Sequence, residues 1–306
     1  MLFVFPDYYK KFKCIKSECR HNCCIGWEID IDPDTYSFYR SVGNIFDENI
    51  STDGEPHFIL GENERCPFLN KDNLCDIIIG FGEKHLCHIC REHPRFYNEL
   101  YDRTEAGIGL CCEEAARIIL GNPDTVKLET EGESEYEDKI ITLRDGIIAV
   151  LQNRNKNITE RIKDMLLICG TTLPQFDLDK WCGIFLGLER LDGAWTAALN
   201  SLKAGFKTAN LKEFDLYMKN RQTEYEQLLV YLIYRHLSSA FDKTDAKIYA
   251  LFAALSFTVI YYIGAVSFTE KGSFTFTEQA ETARLFSSEI EYSDQNLDII
   301  LQHLQD

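Results

Sequence analysis

Residues 248–268 read IYALFAALSFTVIYYIGAVSF, twenty-one residues without a charged side chain. A run of that length can cross a bilayer, so the choice between a membrane span and a buried helix decides the fold. The tyrosines, with Lys247 at one end, suit a membrane boundary. Against that, no second span exists, and several Ala, Ser and Thr residues interrupt the apolar run. Neighbouring segments rich in Leu, Ile and Tyr can cover every face, which is what an all-round apolar helix needs in a soluble bundle. The run is read as the central buried helix of a helical array, with no membrane span.

Working outward, the same helical reading extends over the C-terminal two thirds. Glu113 to Leu120 begins with acidic residues and meets a glycine stop at Gly121. After an acidic stretch from Glu129 to Glu137, Ile140, Ile141, Leu143, Ile147, Ile148 and Leu151 predict a helix over 138–154. Further helices are expected at 158–169, 179–203, 211–241, 244–265, 277–290 and 294–304. The N-terminal third is different. Gly26 to Asp32 alternates apolar and acidic residues, predicting a short half-buried strand. Pro33 opens a brief helix over Asp34 to Arg40, and 43–63 reads as a long loop. Ile77-Ile78-Ile79 predicts a buried strand fragment running into Gly80-Phe81-Gly82. The expected fold is mainly α: an irregular cysteine-rich metal-binding region, 1–121, packed on an α-helical domain, 122–306.

Ten of the twelve cysteines lie in that N-terminal third: Cys14, Cys19, Cys23, Cys24, Cys66, Cys75, Cys87, Cys90, Cys111 and Cys112. Thiols gathered in this way form disulfides or hold metal. The opening Met-Leu-Phe-Val-Phe-Pro-Asp has no basic region, no apolar stretch of signal length and no small-residue cleavage site. A cytoplasmic chain with reduced thiols is therefore expected, which favours metal. The net charge of −17 makes nucleic acid an unsuitable partner, because phosphate binding needs a basic surface. A lysine side chain or a basic protein surface suits such a field better.

The spacing Cys14-x4-Cys19-x3-Cys23-Cys24 is followed, after 41 residues, by Cys66-x8-Cys75-x11-Cys87-x2-Cys90-x20-Cys111-Cys112. Short intervals let two ligands on one turn face a common point, as Cys87-x2-Cys90 and Cys19-x3-Cys23 do. Ten thiols exceed one tetrahedral site, and thiolate ligation suits zinc or iron–sulfur alike. The CxxxCxxC triad of radical enzymes is absent, and Gly80-x-Gly82 lacks the third glycine of a dinucleotide loop. His85, His88 and His93 are candidate ligands or acid/base groups, with hydrogen bonding on a turn as the plainer role. Arg91 and Arg95 offset thiolate charge, clamp a carboxylate or form ordinary salt bridges.

Specific residues carry a family likeness. Phe12-x-Cys14-x4-Cys19-x3-Cys23-Cys24-x-Gly26-Trp27-x-Ile29-x-Ile31-Asp32 resembles the opening of the flagellin lysine-N-methylases. Cys66-Pro67-Phe68-Leu69, Leu74-Cys75, Gly82-Glu83-x2-Leu86, Cys90-x3-Pro94-Arg95 and Cys112-Glu113-Glu114-Ala115-Ala116-Arg117 continue it, and Phe286 to Ser293 with Asn296 is similar to that family's end. The cysteine half is also similar to a broader group of zinc- or iron-chelating cysteine-cluster domains with no common activity. The resemblance implies methyl transfer from S-adenosylmethionine to surface lysines of flagellin, by an enzyme containing an iron–sulfur cluster of the 4Fe-4S type. Carried over residue by residue, it gives Cys14, Cys19, Cys23, Cys24, Cys66, Cys75, Cys90 and Cys112 as metal ligands. Cys87 and Cys111 stand at positions where many members of the family lack cysteine. No motif names a methyl-donor pocket or a general base. Trp27, Tyr36, Tyr39 and Trp181 are possible pocket liners, although aromatic residues more often build the core. The alternatives are a non-enzymatic zinc- or iron-chelating scaffold and an electron-transfer protein.

Overall fold

A computed structural model of the chain describes residues 1–135 and 138–305; Glu137, the end of the acidic stretch, lies outside the described residues. The protein is mainly α-helical and divides into two compact units. One is Lys13–Phe96, and the other joins Met1–Phe12 to Tyr97–Asp306. The compositional change at residue 121 and this spatial division do not coincide. The reason is strand pairing: Leu2–Pro6 lies parallel to Arg103–Ile108 and antiparallel to Leu128–Glu131. The first strand is thereby tied into the helical unit, and Arg95–Leu100 completes the four-stranded sheet at the other edge.

In Lys13–Phe96 the regular elements are short. Helix α1 spans Pro33–Val42, with Pro33 at its first turn and Asp32 accepting the Thr35 N–H as N-cap. The loop over 43–63 carries a two-residue ladder, Ile50–Ser51 against His57–Phe58. The strand expected over Gly26 to Asp32 is not continuous. Only isolated bridges form, Ile25 with Arg65 and Asp30 with His57, while the alternation still buries Ile29 and Ile31. Ile77 to Ile79 lies within a helix, α2 (Asp76–Phe81), and not a strand. Asp76 starts its first turn and Gly82, at φ +89°, stops it; only Ile77 is buried. Three β-branched residues cannot by themselves separate a strand from a helical turn. Helix α3 is His88–Glu92. Stacked and edge-on rings, Tyr39 on Phe46 at 4.1 Å and Phe58 on Phe68 at 5.1 Å, form the core between these pieces.

The helical unit contains α4 (Glu113–Leu120), α5 (Lys139–Leu151), α6 (Ile158–Ile168), α7 (Leu178–Gly187) and α8 (Gly193–Gly205). It continues with α9 (Leu211–Met218), α10 (Gln222–His236), α11 (Lys243–Lys271), α12 (Phe276–Ile290) and α13 (Asp294–His303). The segment expected as one helix over 179–203 is broken between α7 and α8. There the buried Glu289 carboxylate accepts the Leu191 and Asp192 N–H groups, and Asp192 caps α8 through the Ala194 N–H at 2.8 Å. Side-chain acceptors thus replace the helical carbonyls. A 3-10 turn at Lys219–Arg221 likewise divides 211–241.

Helix α11 contains the run 248–268. It is long and apolar enough to cross a membrane, and 67% of its most apolar window is buried inside the protein. It packs against α6, α8, α10 and α12, as the sequence reading required. Gly264 makes one close approach possible, since a Cβ there would stand 2.9 Å from the Phe274 ring. Two buried carboxylates are paired with arginines: Glu105 with Arg144, and Glu226 with both Arg154 and Arg161.

Candidate metal centre

Backbone stitching in Lys13–Phe96 explains how distant cysteines meet. The Cys66 N–H donates to the Cys24 carbonyl at 2.9 Å, and the Gly26 N–H to the Glu64 carbonyl at 3.0 Å. The chain then turns back on itself between Cys66 and Cys75: the Asn70 N–H donates to the Leu74 carbonyl, and the Asp76 N–H to the Phe68 carbonyl. Asn70 Oδ1 accepts from the Asp72 and Leu74 N–H groups, and the Arg65 guanidinium donates to the Leu69 and Asn70 carbonyls. Asp32 links the start of α1 to the start of α3, accepting Thr35 and His88 N–H groups at 3.1 and 2.7 Å. Burial opposes its charge, yet these two N–H groups hold its carboxyl below the usual range. The Cys87-x2-Cys90 step is thereby anchored at its N-terminal end.

Five thiols share one core: Cys66 and Cys87 are buried in it with Tyr39, and Cys24, Cys75 and Cys90 pack against it with Trp27 and Tyr36. They lie within electrostatic reach of one another. Cys24 is held well above the ordinary thiol range by its hydrogen bond with Cys23, then by burial and by Cys66 and Cys75. Cys90 is raised in the same way by Cys87, then by burial and by Cys24 and Cys66. Burial pushes Cys66 up to about 11 and raises Cys75. Hydrogen bonds from their partners lower Cys87 and Cys23. A soft cation suits this donor set in kind, because coordination removes the protons that burial retains. As the side chains stand, among the described residues no three His, Cys, Asp or Glu groups are arranged to hold one metal ion.

The other expected ligands fall elsewhere. Cys14 is exposed, its Sγ accepting the Lys16 N–H at 3.4 Å, and the Cys19 thiol donates to the His21 carbonyl at 3.2 Å. Cys23 is at the surface beside Cys24. Cys111 and Cys112 belong to the helical unit. Cys111 is raised by burial and hydrogen-bonds Tyr292, whose ring stands 4.7 Å from the Arg235 guanidinium. Arg235 donates to the Tyr231 hydroxyl at 2.6 Å, which donates to Glu291 at 3.3 Å; Glu291 in turn holds His236 at 2.6 Å. Cys112 is the N-cap residue of α4.

The five gathered thiols thus include Cys87, a position that the family likeness set apart and that the CxxC interval marked. The histidines have structural partners: His85 stacks on Phe38 at 4.0 Å, His88 lies 3.3 Å from Arg91, and burial lowers His93 to about 4. Arg91 pairs with Glu92. Trp181 belongs to the core of the helical unit, against Phe185.

Residues 174–306 match the family described as the FliB lysine N-methylase C-terminal domain. A lysine-N-methylase of Salmonella typhimurium is 31% identical over 137 residues, which covers 40% of this chain and 33% of that protein. One from Salmonella choleraesuis matches to the same extent. The flagellar biosynthetic protein FliU of Salmonella muenchen is 29% identical over 134 residues, covering 40% of this chain and 79% of that protein. The chain spans about a third of the length of the two lysine-N-methylases. No solved structure matches. The chain is thus similar to lysine-N-methylases over part of its length, and residues 174–306 match the model of their C-terminal domain.

Proposed function

From this kinship, we propose that the chain is a protein-lysine N-methyltransferase that takes its methyl group from S-adenosylmethionine and modifies surface lysines of flagellin. The observation that carries the reading is the match of residues 174–306 to the lysine N-methylase C-terminal domain. The net charge of −17 supports it, because such a field favours approach of a cationic lysine side chain. S-adenosylmethionine supplies a methyl group on a sulfonium, activated for attack by a neutral amine. The reaction then asks the protein to deprotonate the lysine, align it with the donor and exclude water.

Cys24, Cys66, Cys75, Cys87 and Cys90 would hold an iron–sulfur cluster of the 4Fe-4S type, four as ligands with one in reserve; the same donors suit zinc. In either case the thiols join loops that contain little regular structure, so metal and fold are linked. The test is incubation of anaerobically purified protein with methyl-labelled S-adenosylmethionine and flagellin. Label on flagellin lysines is the expected result. A metal-loaded, folded protein that transfers none overturns the methylase reading and leaves a metal-chelating scaffold.

A further inference from the structure

Within Lys13–Phe96, the short ladder carries a cleft of about 430 Å³ lined by Glu28, Ser51, His57, Phe58, Ile59 and Leu60, within the size range of small-molecule sites, roughly 300–1,000 Å³. Strand geometry places these side chains. The Ile31 N–H donates to the Pro56 carbonyl at 2.7 Å and the Phe58 N–H to the Ile29 carbonyl at 3.1 Å, which sets the two segments side by side. Along extended chain, successive side chains alternate between faces. Ile29, Ile31 and Phe58 are buried, so Glu28, His57 and Ile59 belong to the opposite face. Ser51 stands directly across from His57 in the register and shares that face.

The polar groups of the lining all offer acceptors. The Glu28 carboxylate forms no ion pair or hydrogen bond among the described residues. His57 Nδ1 lies 2.8 Å from the Glu55 carbonyl, which can only accept; Nδ1 therefore carries the proton, and Nε2 of the neutral ring is left as an acceptor. Ser51 Oγ accepts the Asp53 N–H at 3.2 Å and keeps a second lone pair. No lysine or arginine lines the cleft, so an anion finds no counter-charge there. A metal ion would need a third donor beside Glu28 and His57, and among the described residues none is arranged with them. Ile59, 47% exposed, and Leu60 add an apolar wall. A cationic head on an apolar stem meets both halves of this lining. We propose that the cleft binds a protonated primary amine on an alkyl chain, as a lysine side chain is. Its ammonium donors serve Glu28, His57 Nε2 and Ser51, and its methylenes lie on Ile59 and Leu60. The proposal rests on the lining and not on the kinship above; a chain without transferase activity would bind the amine equally.

The test is a ligand-observed NMR titration of the full chain, with a melting curve as the check of folding. The probes are the amides of Nα-acetyl-lysine and Nα-acetyl-norleucine, which share an alkyl stem and differ in the ammonium. The lysine probe should bind at least about 10-fold more tightly, the factor that corresponds to about 1.4 kcal/mol. Glu28→Gln should weaken it by about the same factor, and His57→Phe should weaken it as well. Glu83→Gln is the control for net charge: it removes an exposed carboxylate that does not line the cleft and should leave binding unchanged. If Glu83→Gln weakens the lysine probe as much as Glu28→Gln, the amine is held only by the general field of a chain of net charge −17, and the cleft assignment is overturned. Equal binding of the two probes, or none by the wild-type chain, also overturns it. Should His57→Phe fail to fold, the contrast between Glu28→Gln and Glu83→Gln decides alone, because both side chains are exposed. Flagellin methylation by a chain that binds neither probe would leave the methyltransferase reading standing, and probe binding without methylation would leave this one.

Discussion

Replacing Cys87 by Ser separates the gathered thiols from the dispersed ones. Cys87 is completely buried and sits in the same core as Cys66, while its bond with Cys90 fixes the spacing of the pair. Without metal, the exchange of one small polar group for another should cost no more than about 1–2 kcal/mol. With metal it removes a ligand. A four-thiolate site contributes about 10–16 kcal/mol of binding at neutral pH, or roughly 3 kcal/mol per ligand, which corresponds to a 100-fold or larger loss of affinity. The assay is metal content per chain after anaerobic purification, followed by competition with a chelator of known affinity. Cys66→Ser and Cys75→Ser should lose metal as Cys87→Ser does. Cys111→Ser, in the buried network of Tyr292 and Arg235, and Cys169→Ser, buried in the helical unit, should keep it. Wild-type metal content in Cys87→Ser together with loss in Cys111→Ser would refute the grouping.

Three further outcomes follow from the helical unit. Arg144→Met leaves the Glu105 carboxylate buried beside only Arg103, and should cost about 3–5 kcal/mol; a urea midpoint equal to wild type contradicts this. Gly264→Ala drives a methyl group against Phe274 and Phe214 and should cost about 1–3 kcal/mol by overpacking; an unchanged melting temperature rules the clash out. Glu278 is lowered to about 2, first by the Lys271 hydrogen bond and then by the Thr275 N–H. Because the folded value lies below the unfolded one of about 4.3, its stabilisation is present above pH 4.3 and lost as pH falls toward 2. Glu278→Gln should flatten that acid limb, and an unaltered limb in the variant rejects the assignment.

How much of this was readable depended on the kind of signal. Long apolar runs and caps were legible: Glu113–Leu120 ends where Gly121 predicts, and 248–268 lies inside α11. The break between α7 and α8 was not, because its cause is Glu289, about a hundred residues away in sequence. Ile77 to Ile79 form a helical turn and not the expected strand, because a three-residue apolar run suits either; Asp76 stands in the first turn and Gly82, at φ +89°, ends it. For the thiols, the CxxC interval marked Cys87 and Cys90 as partners, and the structure brings them together. Spacing could not reveal that Cys111 lies beside Tyr292 and Arg235, since those residues come from the turn after α12 and from α10.

The cysteine-rich unit has a further reason to need its thiols. Its helices contain 10, 6 and 5 residues, lengths at which helices are marginal without packing. Its ring cluster of Tyr39, Phe46, Phe58 and Phe68 supplies one core. The loops that carry Cys24, Cys66 and Cys75 are joined to that core by single backbone hydrogen bonds and by Asn70 and Arg65. Without a metal, five buried or half-buried thiols add little beyond their packing, whereas the same five as thiolates on a metal would link three loops and α3 at one point. The segment with the least regular structure therefore contains the donors that a metal would use to order it, and the helical unit, with its own capped and buried helices, has no such requirement.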